Sequence, residues 1–341
     1  MKVITFGELL LRLASPGYTK LMQKDCLETS FCGGEANVAV SLSIFGVESV
    51  YVTKLPLNDI GRAAGNSLRY FGVDTSKIIY GKGRMGLYYL EKGASQRPSK
   101  VIYDREYSAL ALSSAAEYDW EAIFDSVDWF HFTGITPALS NELADICIEA
   151  CKVAKAKGIK ISCDLNYRKQ LWSEERARSV MAEIMPFVDV CIANEEDMQK
   201  TLGISVCGTN VETAELNIGS YCEAAREIRR LYGCKYVAIT LRKSFSASRN
   251  GWSAMLYNSE HDSVAVSKEY DIQLVDRVGG GDSFSAGLIY SMLLNKDDCN
   301  AVDFAVAASC LKQSIEGDFN RTTVEEVNSL MSGSGNGRVL R

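Results

Sequence analysis

The densest chemistry in the sequence lies between Asp276 and Gly287, DRVGGGDSFSAG, which runs directly into the helical stretch Leu288 to Leu294. Three consecutive glycines ahead of a helix let backbone N–H groups converge on an anion, and the positive end of the helix dipole adds to that pull. Gly279, Gly280 and Gly281 therefore read as a phosphate-binding turn. Asp282 follows at the start of the helix, and two roles are open to it. Its carboxylate can cap the helix, or it can take the proton from a hydroxyl that attacks a phosphoryl group. The preceding Asp276 and the glycines favour a phosphate site with Asp282 as the base. A second cluster, Asp164-Leu165-Asn166-Tyr167-Arg168 with Leu171 and Trp172 after it, closes a strand candidate, so its polar side chains reach the carboxyl edge of a sheet. A third, Asn194-Glu195-Glu196-Asp197, follows a strand candidate that ends at Ala193, where acids suit the first turn of a helix.

These clusters need a scaffold, and the rest of the chain supplies one by alternating short apolar runs with longer amphipathic ones. The strand candidates are Lys2 to Phe6, Ser49 to Leu55, Trp129 to Thr133, Lys160 to Leu165, Val188 to Ala193 and Tyr236 to Leu241. Helical stretches lie between them, among them Glu35 to Phe45, Ile60 to Tyr70, Ser140 to Lys157, Glu174 to Met185 and Ser220 to Tyr232. Repeated βα units imply an α/β fold with a mostly parallel sheet and helices on both faces. Two segments, about 11–31 and about 80–107, show strand-like alternation with Gly81, Gly83, Gly86 and Gly93 as turn signals. They read as extra strands forming a small lid over a ligand at the carboxyl ends of the parallel strands, where open α/β sheets place their sites. Residues 1–331 are expected to form a single domain with these insertions, and 332–341, which include SGSGNG, a flexible tail.

Composition narrows the function. Of 341 residues, 37 are Lys or Arg and 43 Asp or Glu, a formal charge of −6. An acidic chain without a long basic run is a poor binder of nucleic acid. No apolar run approaches the roughly 20 residues that span a bilayer. Gly7, Glu8 and Arg12 interrupt the apolar start, so Val3, Ile4 and Phe6 read as a buried first strand and not as a signal peptide. Eleven cysteines without a CxxC pair, and only His131 and His261 to join them, make no zinc-like cluster. They fit reduced thiols, with Cys147 and Cys151 one helical turn apart as small buried side chains, and the chain is expected in the cytoplasm. Two histidines also discourage Ser-His-Asp chemistry. The glycine pairs do not form GxGxxG at the end of a first strand, which argues against a dehydrogenase.

Gly279-Gly280-Gly281-Asp282 after Asp276 resembles the DTxGAGD signature of the PfkB, or ribokinase-like, carbohydrate kinases. Gly33-Gly34-Glu35-Ala36-Asn37-Val38-Ala39, with Leu42 and Gly46, resembles the family's other signature, about 240 residues upstream. The order of elements between them is similar as well, so the resemblance covers nearly the whole chain. It implies a ribokinase-like fold in which Gly280, Gly281 and Asp282 form the anion hole and base, and Gly33, Gly34 and Asn37 hold the sugar. The 164–172 stretch resembles the DxNxRxxLW of 2-keto-3-deoxygluconate kinases and fructokinases, which assigns Arg168 to the sugar and Asn166 to the nucleotide. Asn194 to Asp197 corresponds to the family's NxxE motif, with Asp in place of Glu. The resemblance assigns Asn194 to the nucleotide and Asp197 to Mg²⁺ through water.

Substrate choice is expected in the lid. Tyr103-Asp104-Arg105 with Ser108-Ala109 resembles the YxR...SA stretch of 2-keto-3-deoxygluconate kinases, and Tyr88, Tyr89 and Tyr103 lie on presumed lid strands. Tyr89, Tyr103, Arg105 and Arg168 are thus candidates for a sugar acid, whose planar carboxylate suits an Arg fork. One departure concerns the nucleotide: Thr240-Leu241-Arg242-Lys243 stands where most of the family has a TxGxxG loop, so Thr240, with Arg242 and Lys243 as side-chain substitutes, is expected at the phosphates. The expected activity is ATP-dependent phosphorylation of the primary hydroxyl of 2-keto-3-deoxygluconate. A fructokinase or another sugar kinase of the same fold is the near alternative, and a sugar-binding regulator without catalysis the distant one. ATP and Mg²⁺ are the implied cofactors, a monovalent cation is a further candidate, and the expected assembly is a homodimer through the lid.

Overall fold

The computed structural model describes residues 1–206 and 217–333. Its strands are β1 (Lys2–Phe6), β2 (Leu10–Ala14), β3 (Glu28–Cys32), β4 (Glu48–Pro56), β5 (Ile78–Gly81), β6 (Gly86–Glu91), β7 (Lys100–Asp104), β8 (Trp129–Thr133), β9 (Lys160–Asp164), β10 (Val190–Ala193), β11 (Tyr236–Ser246), β12 (Arg249–Asn258), β13 (Ser263–Val266) and β14 (Tyr270–Gln273). The longer helices are α1 (Gly34–Ile44), α2 (Asp59–Tyr70), α3 (Asn141–Ala156), α4 (Glu174–Ile184), α5 (Ile218–Tyr232), α6 (Gly280–Leu293), α7 (Asp298–Gln313) and α8 (Val324–Met331). The large sheet has ten strands along the path β13-β12-β11-β10-β9-β8-β1-β4-β5, with β14 also on β12. Pairs from β11 through β5 along that path are parallel, and the β11–β12 hairpin and its neighbours are antiparallel.

β1 is apolar because it has a strand on each side and helices on each face, and Val3, Ile4 and Phe6 are buried. One core layer packs Phe130, Phe132 and Ile161 against α3 and α4, with Trp120 stacked on Phe124. The other packs Val3, Trp129 and Ile192 against α6 and α7. α6 shows no polar face, since nearly every residue from Gly280 to Ile289 is covered, and α1 is covered in the same way from Glu35 to Leu42. Burial on all sides is what a helix needs to present its end, and not its flank, to a ligand.

The second sheet, β3-β2-β6-β7, is the lid read from the sequence, and the structure corrects one lid boundary and one strand of the large sheet. β5 is the edge of the large sheet, paired in parallel with β4, so the lid portion of the second segment begins at Gly86. The strand expected to stop at Leu241 continues to Ser246, because Arg249 to Trp252 of β12 supply its antiparallel partners. The polar run Arg242-Lys243-Ser244 resembles a loop in sequence, but its side chains alternate between the two faces of a hairpin. Of the expected flexible tail, 334–341 lie outside the described residues.

Candidate active site

Gly279 caps α6 in the left-handed region, φ 83°, and a β-carbon there would lie 2.1 Å from the main-chain oxygen of Asp318. No other residue type fits. A β-carbon on Gly281, by contrast, would meet nothing within 4 Å, because that position opens on a cavity of about 450 Å³. Gly281 and Asp282 are in the first turn, where N–H groups have no helical acceptor. Asp282 does not cap the helix, and the capping alternative falls: the N-cap is Gly279, with no side-chain bond. Asp282 instead accepts a hydrogen bond at 2.6 Å on Oδ2 from Asn37 Nδ2 of α1. Burial raises its pKa to about 7, assisted by Asp318 and Glu35 and opposed by the Asn37 bond and by Arg168. A carboxyl group tuned there exchanges protons readily at neutral pH.

Asn37 is held in turn, its Oδ1 accepting from the Gly33 N–H at 3.3 Å. Gly33 is required by close approach, since a β-carbon would lie 2.1 Å from the Glu8 carbonyl oxygen. A β-carbon on Gly34 would stand 3.6 Å from Asp282 Oδ1, in the space a hydroxyl needs to reach the base. The two glycine signatures thus meet through one hydrogen bond across 245 residues.

The carboxyl ends of β9 and β10 form the floor. Asp164, Asn166, Tyr167, Arg168, Asn194 and Asp197 all line the cavity. Asn194 Oδ1 caps a one-turn helix, Glu195–Asp197, accepting from the Asp197 N–H at 2.9 Å. Asp197 Oδ1 accepts from the Tyr167 N–H at 2.9 Å, which ties the two motifs together. Burial raises Asp197 to about 6 against the pull of Arg168, and it raises Asp164 as well, helped by Asp197 and Asp282. Leu171 and Trp172 belong to the core, so that end of the stretch is packing.

The lid forms the opposite wall with Leu10, Cys32, Tyr88, Val101, Tyr103 and Arg105. Tyr89 is not in it. On β6 successive side chains face opposite sides, and Tyr88 takes the inward position, so Tyr89 is turned to the outer face of the lid. Arg105 is buried, stacked 5.6 Å over the Tyr103 ring, and its Nε donates to Glu8 Oε2 at 2.6 Å. A carboxylate of this chain therefore already holds one edge of its guanidinium.

A model of the pfkB family of carbohydrate kinases matches residues 1–318. The chain belongs to this family. It is similar to a crystal structure of 2-dehydro-3-deoxygluconokinase from Thermotoga maritima, with TM-score 0.94 and 49% identity over 98% of this chain and 100% of that one. It is 29% identical to a Haloferax volcanii protein named 2-dehydro-3-deoxygalactonokinase, over 97% of each chain. A Bacillus subtilis 2-dehydro-3-deoxygluconokinase is 27% identical over 96% of this chain and 94% of its own.

In this pfkB kinase the far end of the cavity carries Thr240, Arg242, Asn250, Trp252 and Arg277. Thr240 Oγ1 donates to the Ala193 carbonyl at 3.4 Å. Lys243, expected beside Arg242, points the other way and pairs with Glu269 at 2.6 Å. The cation next to Arg242 is instead Arg277, which sequence reading passed over inside the glycine motif; burial, then Arg242, lowers its pKa to about 10. Two arginines held together at one end of a cavity suit a polyanion. Among the described residues no three His, Cys, Asp or Glu side chains are grouped to hold a metal ion. Asp197, buried at the floor of the cavity, fits a Mg²⁺ that keeps its waters as the carboxylate that would meet them.

Asp276, read from sequence as part of the phosphate site, has another place. Its carboxylate takes Arg12 Nη2 at 2.6 Å, while Arg12 Nη1 pairs with Asp318, which accepts from the Tyr88 hydroxyl at 2.7 Å. All four are buried, and they bolt the lid to the glycine turn. Arg12 shows in the sequence as a charge at an inward position of an apolar strand. Glu8 shows only as a break in the apolar start, and Asp318 carries no signal of its own. Glu35 was quoted only for its place in a motif, yet its Oε1 accepts from Thr133 N and Oγ1 and from Thr136 Oγ1, pinning α1 to the end of β8.

Proposed function

We propose that this pfkB kinase transfers the γ-phosphoryl group of ATP to the primary hydroxyl of 2-keto-3-deoxygluconate, giving the 6-phosphate. The observation that carries the reading is the Asp282 carboxylate, raised to about 7 and held 2.6 Å from Asn37, beside a glycine turn open to the cavity. In this mechanism Asp282 takes the hydroxyl proton as the oxygen attacks phosphorus, and the Gly281 and Asp282 N–H groups meet the charge on the transferred oxygens. Mg²⁺, when bound, neutralises the polyphosphate. Arg242 and Arg277 flank the phosphates, Gly33, Gly34 and Asn37 hold the sugar, and Arg105, Tyr103 and Arg168 take the sugar carboxylate. Asn166, Asn194 and Thr240 line the nucleotide side, and Asp197 meets the metal's waters.

The sugar-acid reading is supported by two arginines on the sugar side of the cavity, Arg105 and Arg168, in an acidic chain, by relatives named for 2-dehydro-3-deoxy sugar acids, and by the 49% identity to one of them. A neutral sugar has no carboxylate for Arg168 and the remaining edge of the Arg105 guanidinium to bind, which disfavours fructose. The base and the open glycine turn disfavour a regulator without catalysis. Pure protein with ATP and Mg²⁺ is expected to phosphorylate 2-keto-3-deoxygluconate in preference to fructose, and Asp282→Ala to abolish product. Preference for fructose would replace the substrate assignment, and no product from any sugar would favour the regulator.

Residues 1–331 act as one domain in this reading, and the protein works in the cytoplasm, consistent with ten free cysteines among the described residues. No helix among the described residues is long and apolar enough to cross a membrane. The outer face of the lid pairs Leu13 with Tyr89 and Tyr89 with Ile102, the last 43% exposed. That apolar surface supports a homodimer through the lid, which Tyr89→Asp is expected to convert to monomer in light scattering.

A further inference from the structure

The carbonyl oxygens of Asp276, Val278 and Gly280 all turn toward α7. Lys312 Nζ donates to the Asp276 oxygen at 3.1 Å and to that of Val278, and Ser309 Oγ donates to the Gly280 oxygen at 2.7 Å. Ser309 and Lys312 are three residues apart on α7, so they reach the turn from one helix face. Both are completely buried. A trans peptide is planar and its C=O and N–H point opposite ways. Holding the Val278 and Gly280 carbonyls against α7 therefore aims the Gly279 and Gly281 N–H groups away from it, on the side where Gly281 opens to the cavity.

Buried ammonium groups ordinarily pair with carboxylates. Lys312 is bonded to main-chain carbonyls instead, as a metal cation is. Burial lowers its pKa, and the carboxylates of Asp276, Asp318 and Asp282 around it work in the opposite direction. The residues here do not fit a monovalent metal ion beneath the turn, because the oxygens that would ligate it are already bonded to nitrogen.

We propose that Lys312 is a built-in cation beneath the glycine turn, a positioning residue that orients the Gly279 N–H through the Val278 carbonyl while Ser309 orients that of Gly281, and that it frees this kinase from any need for a monovalent metal ion. The proposal rests on the kinase reading, and its test separates the two. Wild-type kcat and Tm are expected to be the same in potassium chloride as in tetramethylammonium chloride; a several-fold rise of kcat with potassium overturns the proposal. Lys312→Ala leaves a cavity lined by two carbonyls. It should lower kcat by roughly 10²-fold, the size of losing an oriented anion-hole donor, with little change in sugar KM. Potassium or ammonium, but not tetramethylammonium, should then restore kcat and raise the variant's Tm. A folded variant with wild-type kcat in tetramethylammonium, or one whose kcat and Tm neither cation moves, overturns the positioning role. If the variant does not fold, the wild-type salt comparison still decides. Absence of turnover by wild type in every salt would instead fail the kinase reading, while the cation response of the variant's Tm still reads the site.

Discussion

The glycine-turn wall of the cavity and the lid wall are built from different materials. The turn offers backbone N–H groups, and its side-chain-free positions are set by contacts behind it: Asp318 against Gly279, Ser309 on Gly280, Lys312 on Val278. The lid offers side chains, Tyr103 and Arg105, mounted on a four-stranded sheet and balanced by Glu8. Backbone donors recognise any phosphoryl group, whereas side chains on strands can be exchanged without disturbing the chain path. On the proposed function, the contrast puts chemistry in the turn and substrate choice in the lid.

Breaking the turn should have the largest effect. Gly281→Val puts two methyl groups into open cavity space, so turnover is expected to vanish with Tm and sugar binding preserved. Gly279→Ala is its opposite: the left-handed backbone alone costs about 1–2 kcal/mol, and the clash with Asp318 adds to it, so thermal unfolding should register the loss. An active Gly281→Val enzyme would remove the turn from the reaction.

Asp282→Asn follows, with kcat down by roughly 10²-fold or more and sugar affinity retained in titration calorimetry. Because the folded pKa of Asp282 is raised to about 7, the folded state holds its proton more tightly than the unfolded one. Its contribution to stability is therefore most favourable at acid pH and is lost as pH rises toward and through 7. The neutral Asn variant should escape that loss and gain Tm relative to wild type at pH above 7. A lower Tm at every pH would instead mean that the carboxylate is structural.

On the lid, Arg105→Ala is expected to cost about 2–5 kcal/mol in kcat/KM for the sugar acid, the range for breaking a buried charge pair, and to leave any weak fructose activity little changed. Because the substitution also strands Glu8, Arg105→Ala with Glu8→Gln is the cleaner comparison. Equal losses on both sugars would make Arg105 a support of the lid and not a reader of the carboxylate. The smallest effect is the acid limb of the pH profile. kcat/KM for the sugar acid should fall about tenfold per pH unit below roughly 7 as Asp282 is protonated, and that limb should be absent from the residual rate of Asp282→Asn.

Much of this was legible in local order. The apolar runs of β1, β8 and β9 mark the parallel sheet because strands covered on both faces need apolar residues throughout. The glycine turn and the Asn37 helix are legible because they depend on local backbone freedom, and so is the lid through its alternation. Long-range pairing was not legible. Nothing local says that Arg242 sits on a hairpin facing the cavity while Lys243 faces Glu269, or that Tyr88 points inward and Tyr89 out, since strand register is settled by the partner strand. The same holds for the Arg12, Asp276, Asp318 and Tyr88 cluster and for Lys312, whose partners lie 34 to 306 residues away. Sequence determined which groups were available to bind phosphate and sugar. Only the tertiary structure decided which charges cancel inside the fold and which are left facing the cavity, because that depends on distances between residues the chain keeps far apart.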